Sequence, residues 1–226
     1  MPAVRMRPAP SIPNSASTWA GLDDAALVRG VVAGEREAFA ALVARHGGAL
    51  VRFARTFVRS EAAAEEVVQD AWVAVLDALD RFEGRSSLKT WLFRIVANRA
   101  KTRLERDGRT VPFSALGPEE EQGDLRGLDP ERFDARGHWS DPVGGWTEED
   151  PERLALRAET RTVLEDAVAA LPPGQRAVLV LRDVEGLEAD EVCTLLDLTD
   201  SNQRVLLHRA RTRVRLAIER HMKGER

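Results

Sequence analysis

From Asp107 to Pro151 the chain loses the helical spacing of apolar residues that runs on both sides of it, and Gly, Pro and acidic residues take over. A stretch this long without periodicity does not fit inside one packed domain, so the chain reads as two bodies joined by a linker. With 226 residues there is room for two small cores. The expected architecture is all-α: a tail over 1–20, a helical domain over 21–106, an acidic linker over 107–151 and a second helical domain over 152–226.

The tail holds four prolines among small and polar residues and is expected to be disordered. In the first domain the apolar positions recur at helical spacing through Ala26, Leu27 and Val31, then Phe39, Leu42 and Val43, then Leu50, Phe53, Ala54 and Phe57. A longer helix is predicted from about Glu61, with Val67, Val68, Ala71, Trp72, Val75 and Leu79 facing inward. Glu83 and Gly84 break it, and Ser86 or Ser87 can cap a further helix whose inward stripe is Leu88, Trp91, Leu92, Ile95, Val96 and Leu104. In the linker, GHWSDPVGGW sets His138, Trp139 and Trp146 in polar surroundings, and the aromatics are read as pins onto a neighbouring domain.

Helical spacing resumes with Leu156, Val163, Leu164, Ala167, Val168 and Leu171, until Pro172, Pro173 and Gly174 stop it. The run RAVLVLRDVEG would suit a buried strand by composition. No other segment offers it a strand partner, so a short buried helix is expected. Val192, Leu195 and Leu196 share one face of the next helix, and Thr199 can cap a last one. Short helix, tight turn and longer basic helix form a helix-turn-helix pattern.

Charge is placed unevenly along the chain, whose formal net charge is −4. Residues 85–106 carry seven basic residues and one acid, and residues 201–226 carry eight and two, so each segment is +6. Residues 107–150 carry twelve acids and four Arg, a net of −8. Two basic helices beside an acidic spacer have the electrostatic footprint of nucleic-acid binding, because each neutralised phosphate releases condensed counterions. On the last helix Arg204, His208, Arg211 and Arg215 follow i, i+4, i+7, i+11 and fall on one stripe. Its first turn, Asp200, Ser201, Asn202, Gln203 and Arg204, is where a recognition helix meets base edges, while the later arginines suit phosphates.

Taken together, AEEVVQDAWVAV, FEGRSSLKTWLFRIVANRAKTRLER, ALPPGQRAVLVLRDVEGLEADEV and LLHRARTRVR resemble, in that order, the extracytoplasmic-function sigma factors of the bacterial sigma-70 family. The resemblance covers nearly all of residues 35–220. It implies a sigma-2-like bundle and a sigma-4-like helix-turn-helix domain, joined by the linker. It implies that Glu65, Glu66, Gln69 and Asp70 dock the beta-prime clamp of core RNA polymerase, while the second domain meets the beta flap. The stretch from Phe82 to Trp91, with Ser87, Lys89, Asn98, Arg99 and Lys101, would capture an unstacked base and hold the melted minus 10 strand. Thr199, Asp200, Ser201, Asn202, Arg204, His208, Arg209 and Arg211 would contact the minus 35 duplex. An anti-sigma partner is also implied, as is a linker that threads the polymerase cleft. Asp197 stands where the family usually has Gly, and Asp accepts the left-handed conformation better than most residues. Gln203, Val205 and Leu206 stand where common members have Val, Ser and Arg, so the minus 35 preference does not transfer.

A free-standing helix-turn-helix repressor would explain the second domain but has no use for the first domain's basic helix following an acidic one. The histidines at 46, 138, 208 and 221 are too dispersed in sequence to suggest a metal cluster or catalytic triad, and no glycine-rich phosphate cradle is present. No catalytic residue, metal, cofactor or small-molecule substrate is therefore expected. Cys193 is read as a small buried residue. One cysteine permits no intramolecular disulfide, and neither an apolar run of membrane-spanning length nor a cleavable leader is visible, which points to the cytoplasm without membrane insertion.

Overall fold

The computed structural model describes residue 19 and residues 21–58, 60–106 and 151–222, with side chains in the last stretch from 159 onward. Of the tail expected over 1–20, residues 1–18 and 20 lie outside the described residues, as do residues 107–150 of the linker expected over 107–151, with His138, Trp139 and Trp146. Among the described residues all regular structure is helical.

The first group comprises α1 (Asp24–Val32), α2 (Arg36–Ala54), α3 (Glu61–Ala78), a 3-10 turn (Leu79–Arg81) and α4 (Leu88–Arg106). Three of the four helix starts have a local cause. Asp23 accepts from the Ala26 amide at 2.7 Å, Ser60 from the Ala63 amide at 3.2 Å and Ser87 from the Thr90 amide at 3.0 Å, so an otherwise orphaned donor is satisfied at each end. All six positions expected to face inward on α3 are buried. Phe53 centres the bundle, edge-on to Phe57 at 5.0 Å and to Phe93 of α4 at 5.1 Å, while Phe39 meets Trp72 at 5.7 Å.

Trp19, assigned to the tail from composition, is only 2% exposed and belongs to this core. Its ring lies on Gly30, where an added Cβ would stand 2.4 Å from it, so α1 admits the indole only because position 30 has no side chain. Four nearby prolines hid one large apolar anchor.

The second group comprises α5 (Pro151–Ala169), α6 (Pro173–Leu179), a π turn (Val180–Val184), α7 (Ala189–Leu196) and α8 (Asp200–Met222). The run AVLVL is helical as expected, and all five of its residues are buried. Beyond it the helix widens: the Glu185 amide donates to the Val180 carbonyl at 2.9 Å and Leu187 to Leu181 at 2.9 Å, before Gly186 turns the chain at φ 70°. A capping box between Glu188 and Glu191 opens α7. Asp197 closes it in the left-handed region at φ 58°, ψ 49°, as expected for a residue filling a glycine's place. Thr199 then caps α8, its Oγ1 accepting from the Asn202 amide at 3.2 Å.

The two groups touch. α4 packs against α7 and α2 against the π turn, and the buried apolar residues of both groups run into one continuous core.

Candidate functional site

Three surfaces carry the residues singled out from sequence, and each is built by an amphipathic helix whose other face is in the core. On α3, Glu65, Glu66, Gln69 and Asp70 are all exposed. Glu66 accepts a hydrogen bond from Arg103 of α4, which ties the two helices across their solvent edge. Sequence reasoning missed two neighbours. Val73 and Leu76 are 60% and 50% exposed and continue the line of Glu66 and Gln69 at i, i+3, i+7 and i+10. Their signal was available, since both fall outside the inward stripe of α3, where a solvated helix would carry polar residues.

On α4 the structure divides the expected set in two. Asn98 and Arg99 are exposed and Lys101 half-buried, on the second half of the helix, with exposed Arg94 one turn before them. Ser87 and Lys89 are roughly 14–21 Å away along the axis, at the helix start. The Ser87 hydroxyl is shared with Thr90 at 2.7 Å, and Lys89 reaches the second group, its ammonium 3.0 Å from the Glu185 carboxylate and 2.7 Å from the Glu185 carbonyl. Phe82 and Trp91 lie half-buried beside this start, ring centroids 5.2 Å apart. Trp91 is therefore engaged by a neighbouring ring as well as by the core.

On α8 the stripe drawn from sequence is only partly an outer face. Ser201, Arg204 and His208 are exposed, Arg204 pairing with Asp200 one turn earlier at 2.8 Å. Asn202 and Arg209 are half-buried, and Thr199 is committed to its cap. Arg211 forms a two-point pair with Asp183 of the π turn, at 2.8 and 2.6 Å, with its side chain 10% exposed. Arg215 is buried and bonded to Glu219 at 2.6 Å. Gln203, counted among the base-edge candidates, is 2% exposed and faces the core. Two of these corrections have a visible cause. At 100° per residue position 203 falls on the side of Leu206, Leu207 and Ala210, and the π turn folds back over the stripe at Arg211.

The titratable groups off these faces are structural. His46 is buried 3.4 Å from Asp24, which also holds Arg45 at 2.8 Å. Burial lowers the His46 pKa below its ordinary 6.5, against the opposing pull of Asp24. Burial likewise raises the Cys193 thiol, with Asp200 and Asp190 adding to it, so the half-buried sulfur is held as a thiol. Among the described residues no cluster of His, Cys, Asp or Glu could hold a metal ion, and no helix is long and apolar enough to cross a membrane.

Residues 42–110 match the family described as Sigma-70 region 2, and residues 161–214 match Sigma-70, region 4. The chain is similar to the ECF RNA polymerase sigma-E factor of Escherichia coli (strain K12), 32% identical over 192 residues that span 84% of this chain and 91% of the relative. It is also similar to the RNA polymerase sigma-H factor of Pseudomonas aeruginosa, 31% identical over 87% of this chain and 94% of that one. Among solved structures, the sigma factor RpoE in complex with the anti-sigma factor NepR from Bartonella quintana shares the fold. Its TM-score is 0.51 at 20% identity, over 80% of this chain and 96% of that one.

Proposed function

Because this chain belongs to the extracytoplasmic-function sigma factors of the sigma-70 family, we propose that its exposed faces divide the work of initiation as follows. The face of α3 docks core RNA polymerase, through its beta-prime clamp, by Glu65, Glu66, Gln69 and Asp70, with Val73 and Leu76 supplying the apolar centre that a stable interface needs. The outer face of α4, through Asn98, Arg99 and Lys101, takes the melted minus 10 strand: its cations neutralise phosphates, and the Phe82 and Trp91 edge can stack a displaced base. The opening turn of α8 meets the minus 35 duplex with Ser201, Arg204 and His208 outermost, while the beta flap receives this group. Thr199 and Asp200 set that turn, Asn202 and Arg209 border it, and Arg211 supports it from the π turn.

The observation that carries this reading is the separation of chemistry by helix: acids and bare aliphatics on α3, cations and amides on α4 and α8, with every opposite face in the core. A sigma factor of this kind is a transcription initiation factor that opens DNA by binding energy. It needs no catalytic residue of its own. Like the relative captured with an anti-sigma factor, it is held in reserve by such a partner, and it works in the cytoplasm where polymerase and DNA are.

The division of labour is tested by separating association from opening. Asp70→Arg and Val73→Asp should each weaken association with purified core RNA polymerase at least about tenfold, the loss of roughly 1.4 kcal/mol. Arg99→Ala should keep association and reduce permanganate-reactive open complex. Wild-type association for both α3 variants would contradict the assignment.

A further inference from the structure

The contact between the two groups centres on one buried carboxylate. Glu185 stands just past the π turn, its side chain 4% exposed, and its carboxylate receives Arg52 of α2 at 2.8 Å and Lys89 of α4 at 3.0 Å. Both cations come from the first group, over sequence separations of 133 and 96 residues. They retain water, with side chains 55% and 33% exposed. The seal is reinforced beside them, where Thr90 Oγ1 donates to Glu191 of α7 at 2.6 Å. Glu191 is itself fixed by the Glu188 amide through its other oxygen at 3.0 Å. On its other side the same turn grips α8 through Asp183 and Arg211.

Two cations converging on one shielded oxyanion make an anion site. This one is built at the start of α4, beside Ser87, on the helix that the proposed function assigns to the melted strand. We propose that Glu185 is an internal substitute for a nucleic-acid phosphate: it fills the Arg52–Lys89 site in the free chain, holds the two groups closed, and is displaced when a strand phosphate takes its place. The inference rests on that assignment of α4 and adds Arg52 to it. It explains why Lys89, though at the expected place, does not share the open surface of Asn98 and Arg99. It also explains why the π turn and the residue that ends it carry acids in both directions, Asp183 towards α8 and Glu185 towards α2 and α4. Closing the groups costs little desolvation on the cation side, because Arg52 and Lys89 stay wet; the member stripped of water is the carboxylate, which regains it on opening. The π turn is thus a latch between the duplex-reading helix and the strand-holding helix, and release at one loosens the other.

The test uses the full chain, a fluorescent single-stranded oligodeoxynucleotide of mixed sequence, anisotropy titration and small-angle scattering. Glu185→Gln should expand the chain in scattering and tighten binding roughly tenfold, because the competent open state becomes the major one. Thr90→Val, which leaves Arg52, Lys89 and Glu185 intact, should act in the same direction and covers the case in which Glu185→Gln does not fold. Arg52→Ala added to Glu185→Gln should reverse the gain. Asp190→Asn removes the same charge from exposed α7 and should stay within about twofold of wild type; a gain equal to that of Glu185→Gln would reduce the effect to net charge and overturn the proposal. Arg99→Ala separates the two levels. Binding that falls with Arg99→Ala but ignores both Glu185→Gln and Thr90→Val refutes the latch and leaves the α4 assignment standing. Binding indifferent to Arg99→Ala refutes the assignment itself.

Discussion

His46 shows how a residue that invites a chemical reading serves the fold. Its ring is buried in the first core beside Asp24, with Arg45 and Lys89 adding positive charge nearby, and its pKa is lowered chiefly by burial. A folded-state pKa below the unfolded value means the unfolded chain takes the proton more readily. The neutral ring's contribution is therefore complete above about pH 6.5 and lost as pH falls through the lower folded value. Thermal unfolding followed from pH 7.5 down to pH 5 should show a falling midpoint, and His46→Gln should flatten that fall. A midpoint for wild type that rises on acidification would place the charged imidazole, bound to Asp24, as the stabilising form. Single residues were also where sequence reading went astray. Gln203 and Arg211 are polar by type, yet helical phase turns the first inward and the folded-back turn covers the second. Trp19 is apolar among prolines, yet Gly30 leaves a space for it across the helix. Neither outcome is visible without knowing what lies opposite.

Elements were legible because their causes are local. The 3.6-residue spacing located α1 to α5, α7 and α8; of the two serines offered as a cap Ser87 is the one that caps α4, and Thr199 caps α8. AVLVL was ambiguous by composition and was resolved by the lack of any strand to pair with. What could not be read is the widening from Val180 to Val184, since a π turn leaves no mark in periodicity. That turn carries the contacts between the groups. Cap energetics give a prediction here. Thr199→Ala should lower stability by about 1 kcal/mol, a drop in midpoint of roughly 2–4 °C for a chain of this size. It should also weaken minus 35 duplex binding, because the turn holding Ser201 and Arg204 frays. An unchanged midpoint would mean that the Asn202 amide is satisfied elsewhere.

At the scale of the molecule, composition conceals the design. A net charge of −4 suggests no affinity for DNA, whereas two +6 segments supply it on separate helices. Neither the inter-group contact nor the occupied state of Lys89 was legible, because pairing across 96 residues has no sequence signature. The α3 surface was half read: its acids and amide stood out by type, while Val73 and Leu76 are recognised only as apolar residues left off the inward stripe. The central claim is that this chain confers promoter-directed initiation on core RNA polymerase through α3, α4 and α8. Its most direct test is run-off transcription from a promoter library with purified core enzyme, with and without the protein. Transcripts that appear only on addition, and that fall with Asp70→Ala or Asn98→Ala, are the predicted result; a protein that binds duplex DNA yet never directs polymerase to a start site would contradict it.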